Sequence, residues 1–220
     1  MSTENTLKKY LIAIPCLDSI PTPTVASLIS MRRVGASKVS FLANSLVYDA
    51  RNMLAAEALD TGAERILWLD SDMVFDVNLM QMLAKDMDEG HDYVTALYFR
   101  RHIPTSPVLY KSVDVVKTDD GMRGKTEVYK DYPRNTLFPI AGSGFGAVMT
   151  SAEIVKAVYD AFGYPFAPMP GVLGEDLSFC WRARQLGYEL FCDSRIKARH
   201  VSSITIGEEH YERQEGSKNV

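Results

Sequence analysis

The sequence is short of everything that marks a membrane, secreted or nucleic-acid-binding chain. No apolar run approaches the roughly 20 residues a membrane helix needs, and the opening MSTENTLKK lacks the apolar core of a signal peptide. Basic residues are not in excess: 24 Lys and Arg against 28 Asp and Glu give a net charge of −4, which offers no general field for nucleic acid. Only three cysteines occur, Cys16, Cys180 and Cys192, an odd number without CxxC spacing. They read as buried thiols of a reducing compartment rather than as disulfides or a metal knot. Internal repeats and linker-like stretches are also missing. The expectation is a cytoplasmic protein without a membrane span, able to form a homo-oligomer.

What is present suits a globular domain. With 220 residues, 46% hydrophobic and 24% charged, the chain is long enough for a sizeable core. Residues 1–206 read as one domain and the polar residues 207–220 as a frayed tail.

Periodicity places the elements. Residues 10–14 form a continuous apolar run closed by Pro15, as a buried strand does. Residues 22–34 read as helix, 38–42 as strand, the alanine-rich 48–59 as helix and 66–69 as a third strand. Asp76 is placed to cap a helix whose apolar face carries Val77, Met80, Leu83, Ala84 and Met87 and which stops at Gly90. Residues 93–97 make a fourth strand. This alternation predicts an α/β fold, a mostly parallel sheet covered by helices on both faces. Beyond it the pattern is mixed. Residues 108–110 and 113–116 are strand-like, and the polar residues 117–125 read as a loop. Residues 147–149 follow a glycine cluster and lead into Thr150-Ser-Ala-Glu153, a capping-box sequence opening a helix to about Phe162. A further helix over 174–187 and a strand over 188–191 complete the domain.

The chemistry concentrates in ILWLDSD, residues 66–72, where a buried strand runs into Asp70 and Asp72. Ligands of open α/β sheets bind beyond the carboxyl ends of strands, and alternate spacing puts both acids on one side of an extended chain. Two such carboxylates repel unless a cation or hydrogen-bond donors neutralise them, and their oxygen ligands suit Mg²⁺ or Mn²⁺ shared with phosphate. The plainer alternative is that Asp70 ends the strand and Ser71 or Asp72 caps the next turn. Glu175 and Asp176 open a helix, where acids are favoured by the helix dipole without any function. His200 follows a late strand and by itself signals little.

Taken in order, these pieces resemble the GT-A-fold glycosyltransferases, especially family 2-like members. The resemblance runs from Leu11 to about Ser203. It rests on Ile14-Pro15 ending the first strand, Ala50-Arg51-Asn52 in a helix and Asp70-Ser71-Asp72 as a DxD motif. Ala141-Gly-Ser-Gly144-Phe-Gly146, Gly174-Glu175-Asp176 as an acceptor-side ED motif and Ala198-Arg-His200 follow.

The resemblance implies transfer of one sugar from a nucleotide-sugar donor, a UDP-sugar by preference, to an acceptor hydroxyl, with inversion. Asp70, Asp72 and His200 would hold Mn²⁺ or Mg²⁺ against the leaving diphosphate. Asp176 would act as base and Glu175 would position acceptor or sugar. Pro15 and Cys16 lie where the family holds base and ribose, Arg51 could reach the nucleotide or phosphates or simply pair on a helix surface, and Gly144 permits close backbone approach. Arg100, Arg101 and His102 would add positive charge near the diphosphate, or belong to a solvated loop. The family's acid after the second strand is absent, with only Asn44 and Ser45 there. Two other classes share features. Asp70-Ser-Asp72-Met-Val74 also fits a HAD-type phosphohydrolase with Asp70 as nucleophile, although two strand–helix units precede it. A nucleotide-sugar-binding module without turnover is the non-enzymatic alternative.

Overall fold

The computed structural model describes residues 7–102 and 104–202, so the tail assigned to residues 207–220 lies outside the described residues. The first half alternates as the periodicity requires: β1 (Lys9–Pro15), α1 (Thr22–Ser30), β2 (Ala36–Leu42), α2 (Val47–Asp60), β3 (Arg65–Leu69), β4 (Met73–Phe75), α3 (Leu79–Asp88) and β5 (Tyr93–Leu97). All five residues of β3 and of β5 are buried, which accounts for their unbroken apolar character. The second half comprises β6 (Leu109–Thr118), β7 (Gly121–Val128), β8 (Leu137–Ile140), β9 (Gly142–Ser143), β10 (Ala147–Ser151), α4 (Ala152–Phe162), α5 (Glu175–Gln185) and β11 (Leu190–His200).

The main sheet is mixed but mostly parallel, with strand order β2-β1-β3-β10-β5-β11-β4 and β8 paired to β11. The four early strands do not sit side by side as a plain repeating unit would have them. Instead β10 enters antiparallel between β3 and β5, Val148 facing Trp68 on one side and Thr95 on the other. Apolar side chains then cover both faces. Leu54, Ala58, Ile154, Val158, Phe179 and Ala183 bring α2, α4 and α5 to one core. Leu28, Leu79, Met80 and Leu83 bring α1 and α3 to the other.

Several boundaries differ from the sequence reading for identifiable reasons. Helix α1 ends at Ser30, because Met31 turns to an extended conformation and buries its side chain in the core. Asp76 caps a turn rather than the helix: its Oδ1 accepts the Asn78 N–H at 2.9 Å, and α3 begins at Leu79. The capping serine of α4 is Ser151, whose Oγ accepts the Ile154 N–H, while the Thr150 hydroxyl accepts from the Trp68 indole at 3.0 Å. Residues 117–125 are no loop but the tip of the β6–β7 hairpin, which with β9 forms a second, three-stranded sheet. Strand β7 is exposed along nearly its whole length, so no buried face marked it in the sequence. The short β4 escaped detection for lack of length, and the last strand runs on to His200 instead of stopping at Phe191.

Candidate functional site

Asp70, Ser71 and Asp72 form the turn between β3 and β4. The Asp70 N–H donates to the Gly146 carbonyl at 3.1 Å, and the Asp72 carbonyl accepts from the Val201 N–H at 2.7 Å. Strand β4 pairs antiparallel with the end of β11, setting Met73 opposite His200. That pairing is what carries His200 to the turn. Oxygens of Asp70 and Asp72 and one ring nitrogen of His200 all lie within 4.8 Å of one another. His200 Nδ1 is 2.6 Å from the Phe99 carbonyl, which can only accept, so Nδ1–H donates there and Nε2 is the nitrogen left for a metal ion. Two carboxylates and an oriented imidazole, all half-exposed, fit a hard divalent ion such as Mn²⁺ or Mg²⁺.

Beneath this turn lies Arg51, and it does not pair on a helix surface. Its side chain is 2% exposed, and its guanidinium lies near the rings of Phe145 and Phe166, 5.4 and 5.9 Å from their centroids. Nη2 donates to Asp70 Oδ1 at 2.8 Å, and Nη1 donates to Glu175 Oε1 at 3.1 Å and to Asp176 Oδ1. One cation from α2 therefore ties the end of β3 to the start of α5. Burial by itself would pull the Arg51 pKa down, but the Asp176, Asp70 and Glu175 carboxylates outweigh it and hold the pKa above its usual value.

The acids outnumber the cation they share, and the shortfall appears at Asp176. Burial pushes its pKa up to about 7; Arg51 opposes the rise, while Glu175 and Asp70 add to it. The titration belongs to the cluster rather than to an isolated group. With Asp176 Oδ1 committed to Arg51, Oδ2 is the atom left to take a proton.

The cleft above these groups measures about 430 Å³ and is lined by Pro15, Cys16, Leu17, Ser45, Leu46, Val47, Arg51, Asp70, Ser71, Asp72, Arg101, Glu175 and Asp176. Pro15, Cys16, Arg51, Asp70, Ser71, Asp72, Glu175 and Asp176 line it as predicted, as does Arg101; Gly144, Arg100 and His102 do not, and His200 stands beside it on the metal-competent cluster. Cys16 is half-exposed at this wall rather than a buried thiol, whereas Cys180 and Cys192 are buried. The close approach that Gly144 permits is to the protein itself. A Cβ there would stand 2.5 Å from the Tyr98 hydroxyl and 3.3 Å from Asp176 Oδ2.

Tyr98 was not read from the sequence as a site residue. Its buried hydroxyl accepts the Gly146 N–H at 3.0 Å, and burial together with Asp70 and Asp176 keeps it protonated by raising its pKa well above the usual value. Leu46 and Val47 also went unnoticed, since exposed aliphatic residues at a helix start carry no motif.

No protein-family model matches the sequence, and no curated protein matches it. Solved structures do. GalNAc-T7 with UDP, GalNAc and Mn²⁺ superposes with a TM-score of 0.59 at 12% identity, over 91% of this chain. The fold is of the GT-A type. This chain spans 44% of the GalNAc-T7 chain. The crystal structure of A197 from STIV aligns with a TM-score of 0.58 at 17% identity, over 89% of this chain and 86% of that one. At such identities the likeness speaks for the fold, and the activity rests on the site. No helix among the described residues is long and apolar enough to cross a membrane.

Proposed function

We propose that this chain is a metal-dependent, inverting glycosyltransferase. It would move one sugar from a nucleoside diphosphate-sugar, a UDP-sugar by preference, to an acceptor hydroxyl. The observation that carries the reading is the joining of two clusters at one cleft. A cation-competent group, Asp70, Asp72 and His200, stands beside an acid, Asp176, whose pKa of about 7 suits a base near neutrality.

Mn²⁺ or Mg²⁺ held by Asp70, Asp72 and His200 would supply charge neutralisation for a departing diphosphate. The protein's own groups do the rest. Pro15, Cys16, Leu17, Ser45, Leu46 and Val47 offer a half-apolar wall for the nucleoside. Arg51 holds Asp176 and Asp70 in register from below. Asp176 Oδ2 takes the proton from the acceptor hydroxyl as its oxygen bonds to the anomeric carbon. The bond from that carbon to the diphosphate oxygen breaks, and the electron pair leaves with the nucleoside diphosphate. Glu175, pinned by the same arginine, borders the place where acceptor and sugar meet.

The test is incubation with a panel of nucleotide sugars and Mn²⁺. Slow release of nucleoside diphosphate without acceptor supports transfer. Phosphate release from phosphomonoesters would identify a phosphohydrolase, and saturable binding without turnover a binding module.

A further inference from the structure

Outside the transfer cleft, three cations of β11 line one cavity. A second cavity of about 450 Å³ lies where β11 meets β4 and the start of α3, lined by Val74, Phe75, Asp76, Leu79, Met82, Arg195, Ile196, Lys197 and Arg199. Arg195, Lys197 and Arg199 alternate along β11 and are all exposed, while Ile196 and Ala198 between them are buried. Alternation puts the three cations on one face at intervals of roughly 6.6 Å.

Their partners differ. Arg195 is taken by Asp193 and Asp86, with Nη2 at 2.8 and 3.2 Å. Among the described residues no carboxylate lies within ion-pair distance of Lys197 or Arg199. Asp76, the single acid of the lining, spends Oδ1 on the Asn78 N–H.

The groove also leads somewhere. Arg199 is shared with a smaller depression of about 200 Å³ that contains Arg100, Arg101 and His200. Arg101 in turn lines the transfer cleft and pairs with Asp72. A path of cations thus runs from the β11 groove to the mouth of the cleft, on a chain whose net charge is −4. The donor's one anion, its diphosphate, is served by the cation cluster and Arg101. Lys197 lines neither the cleft nor the smaller depression, so a diphosphate in the cleft leaves it unmet.

Resting on the transfer reading, we propose that this groove binds the acceptor, a saccharide carrying several carboxylate, phosphate or sulfate groups. Its anionic units lie along Lys197 and Arg199, and its hydroxyl-bearing end reaches the cleft. The apolar floor of Val74, Leu79 and Met82 meets the C–H faces of the sugar rings, and the cations meet the charges.

The probe is a fluorescent heparin hexasaccharide, with neutral maltohexaose, a single-stranded oligonucleotide and equimolar phosphatidylserine–phosphatidylcholine vesicles beside it. Wild type should bind the sulfated saccharide, more weakly as salt rises, and bind maltohexaose at least tenfold more weakly. Lys197→Gln with Arg199→Gln should weaken saccharide binding about tenfold or more. The melting temperature and UDP binding with Mn²⁺ should stay unchanged; Arg195 is left in place because Asp86 and Asp193 depend on it. Equal binding by the double variant overturns the proposal, as does stronger binding of the oligonucleotide or the vesicles. Saccharide binding that survives in a protein unable to bind any nucleotide sugar overturns the acceptor assignment and the transfer reading together. Wild-type protein that binds UDP with Mn²⁺ but does not bind the sulfated saccharide overturns the groove alone.

Discussion

Arg101 Nη1 lies 2.5 Å from Asp72 Oδ2, so the cation cluster contains a carboxylate already paired with an arginine. The Arg101 side chain is 62% exposed against 17% for Asp72, and its carbonyl and that of Phe99 receive Ser202 and His200 from β11 and the residues after it. Arg101 and a metal ion bound to this cluster would therefore compete for one carboxylate. Arg101→Gln should bind Mn²⁺ alone several-fold more tightly, as read by electron paramagnetic resonance of the free ion. It should bind nucleoside diphosphate more weakly, because a cation facing the phosphates is gone. An unchanged Mn²⁺ titration would leave the pair a surface contact.

Removal of metal should abolish transfer, and Mn²⁺ or Mg²⁺ should restore it. His200→Ala should weaken Mn²⁺ binding by about tenfold to a hundredfold, the scale seen when a metal site loses an oriented partner. Calorimetric titration of the variant with Mn²⁺ checks this apart from activity. Full turnover in excess chelator would remove the metal from the reaction.

Asp176→Asn keeps the size of the side chain and removes its proton-accepting ability. Turnover should fall by about 10² to 10⁴ with little change in donor affinity. A base works only when ionised, so wild-type kcat should rise with pH through about 7 and be lost as pH falls below it. The variant's residual rate should lack that limb. A variant with near-normal turnover would strip Asp176 of its role.

Arg51→Met leaves three carboxylates clustered around a buried, apolar side chain. Stability should drop by about 3–5 kcal/mol, the scale for removing one partner of a buried ion pair. Denaturant unfolding measures it, and adding Asp176→Asn to the same chain should recover part of the loss. A drop below about 1 kcal/mol would show that solvent screens the cluster.

A second carboxyl pair sits far from the cleft. Asp86 is 2% exposed beside Asp193, and burial, with Asp193 as the next influence, pushes its pKa from 3.8 up to about 7. A carboxyl with a raised folded pKa binds its proton more tightly in the folded state. Its contribution to stability is present at low pH and lost as pH climbs from about 4 to 7. Arg195 tempers this by attracting the Asp86 carboxylate directly, and it also holds the neighbouring Asp193 in its ionised form, with a lowered pKa. Asp86→Asn imitates the protonated form. Its melting temperature should exceed wild type at pH 8, by an amount worth about 1–2 kcal/mol, with the gap closing as pH falls toward 4. The opposite order would place the proton elsewhere.

The comparison of sequence with structure turns on how far apart the interacting residues lie. Buried runs such as residues 66–69 and 93–97 were legible because a strand buried on both faces must be apolar throughout. Asp70 and Asp72 were legible as carboxylates at a strand end, although ending the strand and capping the next turn accounted for them equally well. Glu175 and Asp176 were readable as a helix start from local chemistry alone. The sequence by itself thus determined the α/β class, most elements and the chemical types in the site. Tertiary structure decided the insertion of β10 between β3 and β5, the delivery of His200 to Asp72 through β4, and the burial of Arg51 under three acids contributed by β3 and α5. None of these leaves a local pattern, because each is settled by pairing and packing across tens to more than a hundred residues of chain. Arg51 shows the reason most plainly: its helix carries ordinary surface-like polarity, and only the aromatic rings of Phe145 and Phe166, folded over it from distant segments, exclude the water that would otherwise separate it from Asp70 and Asp176.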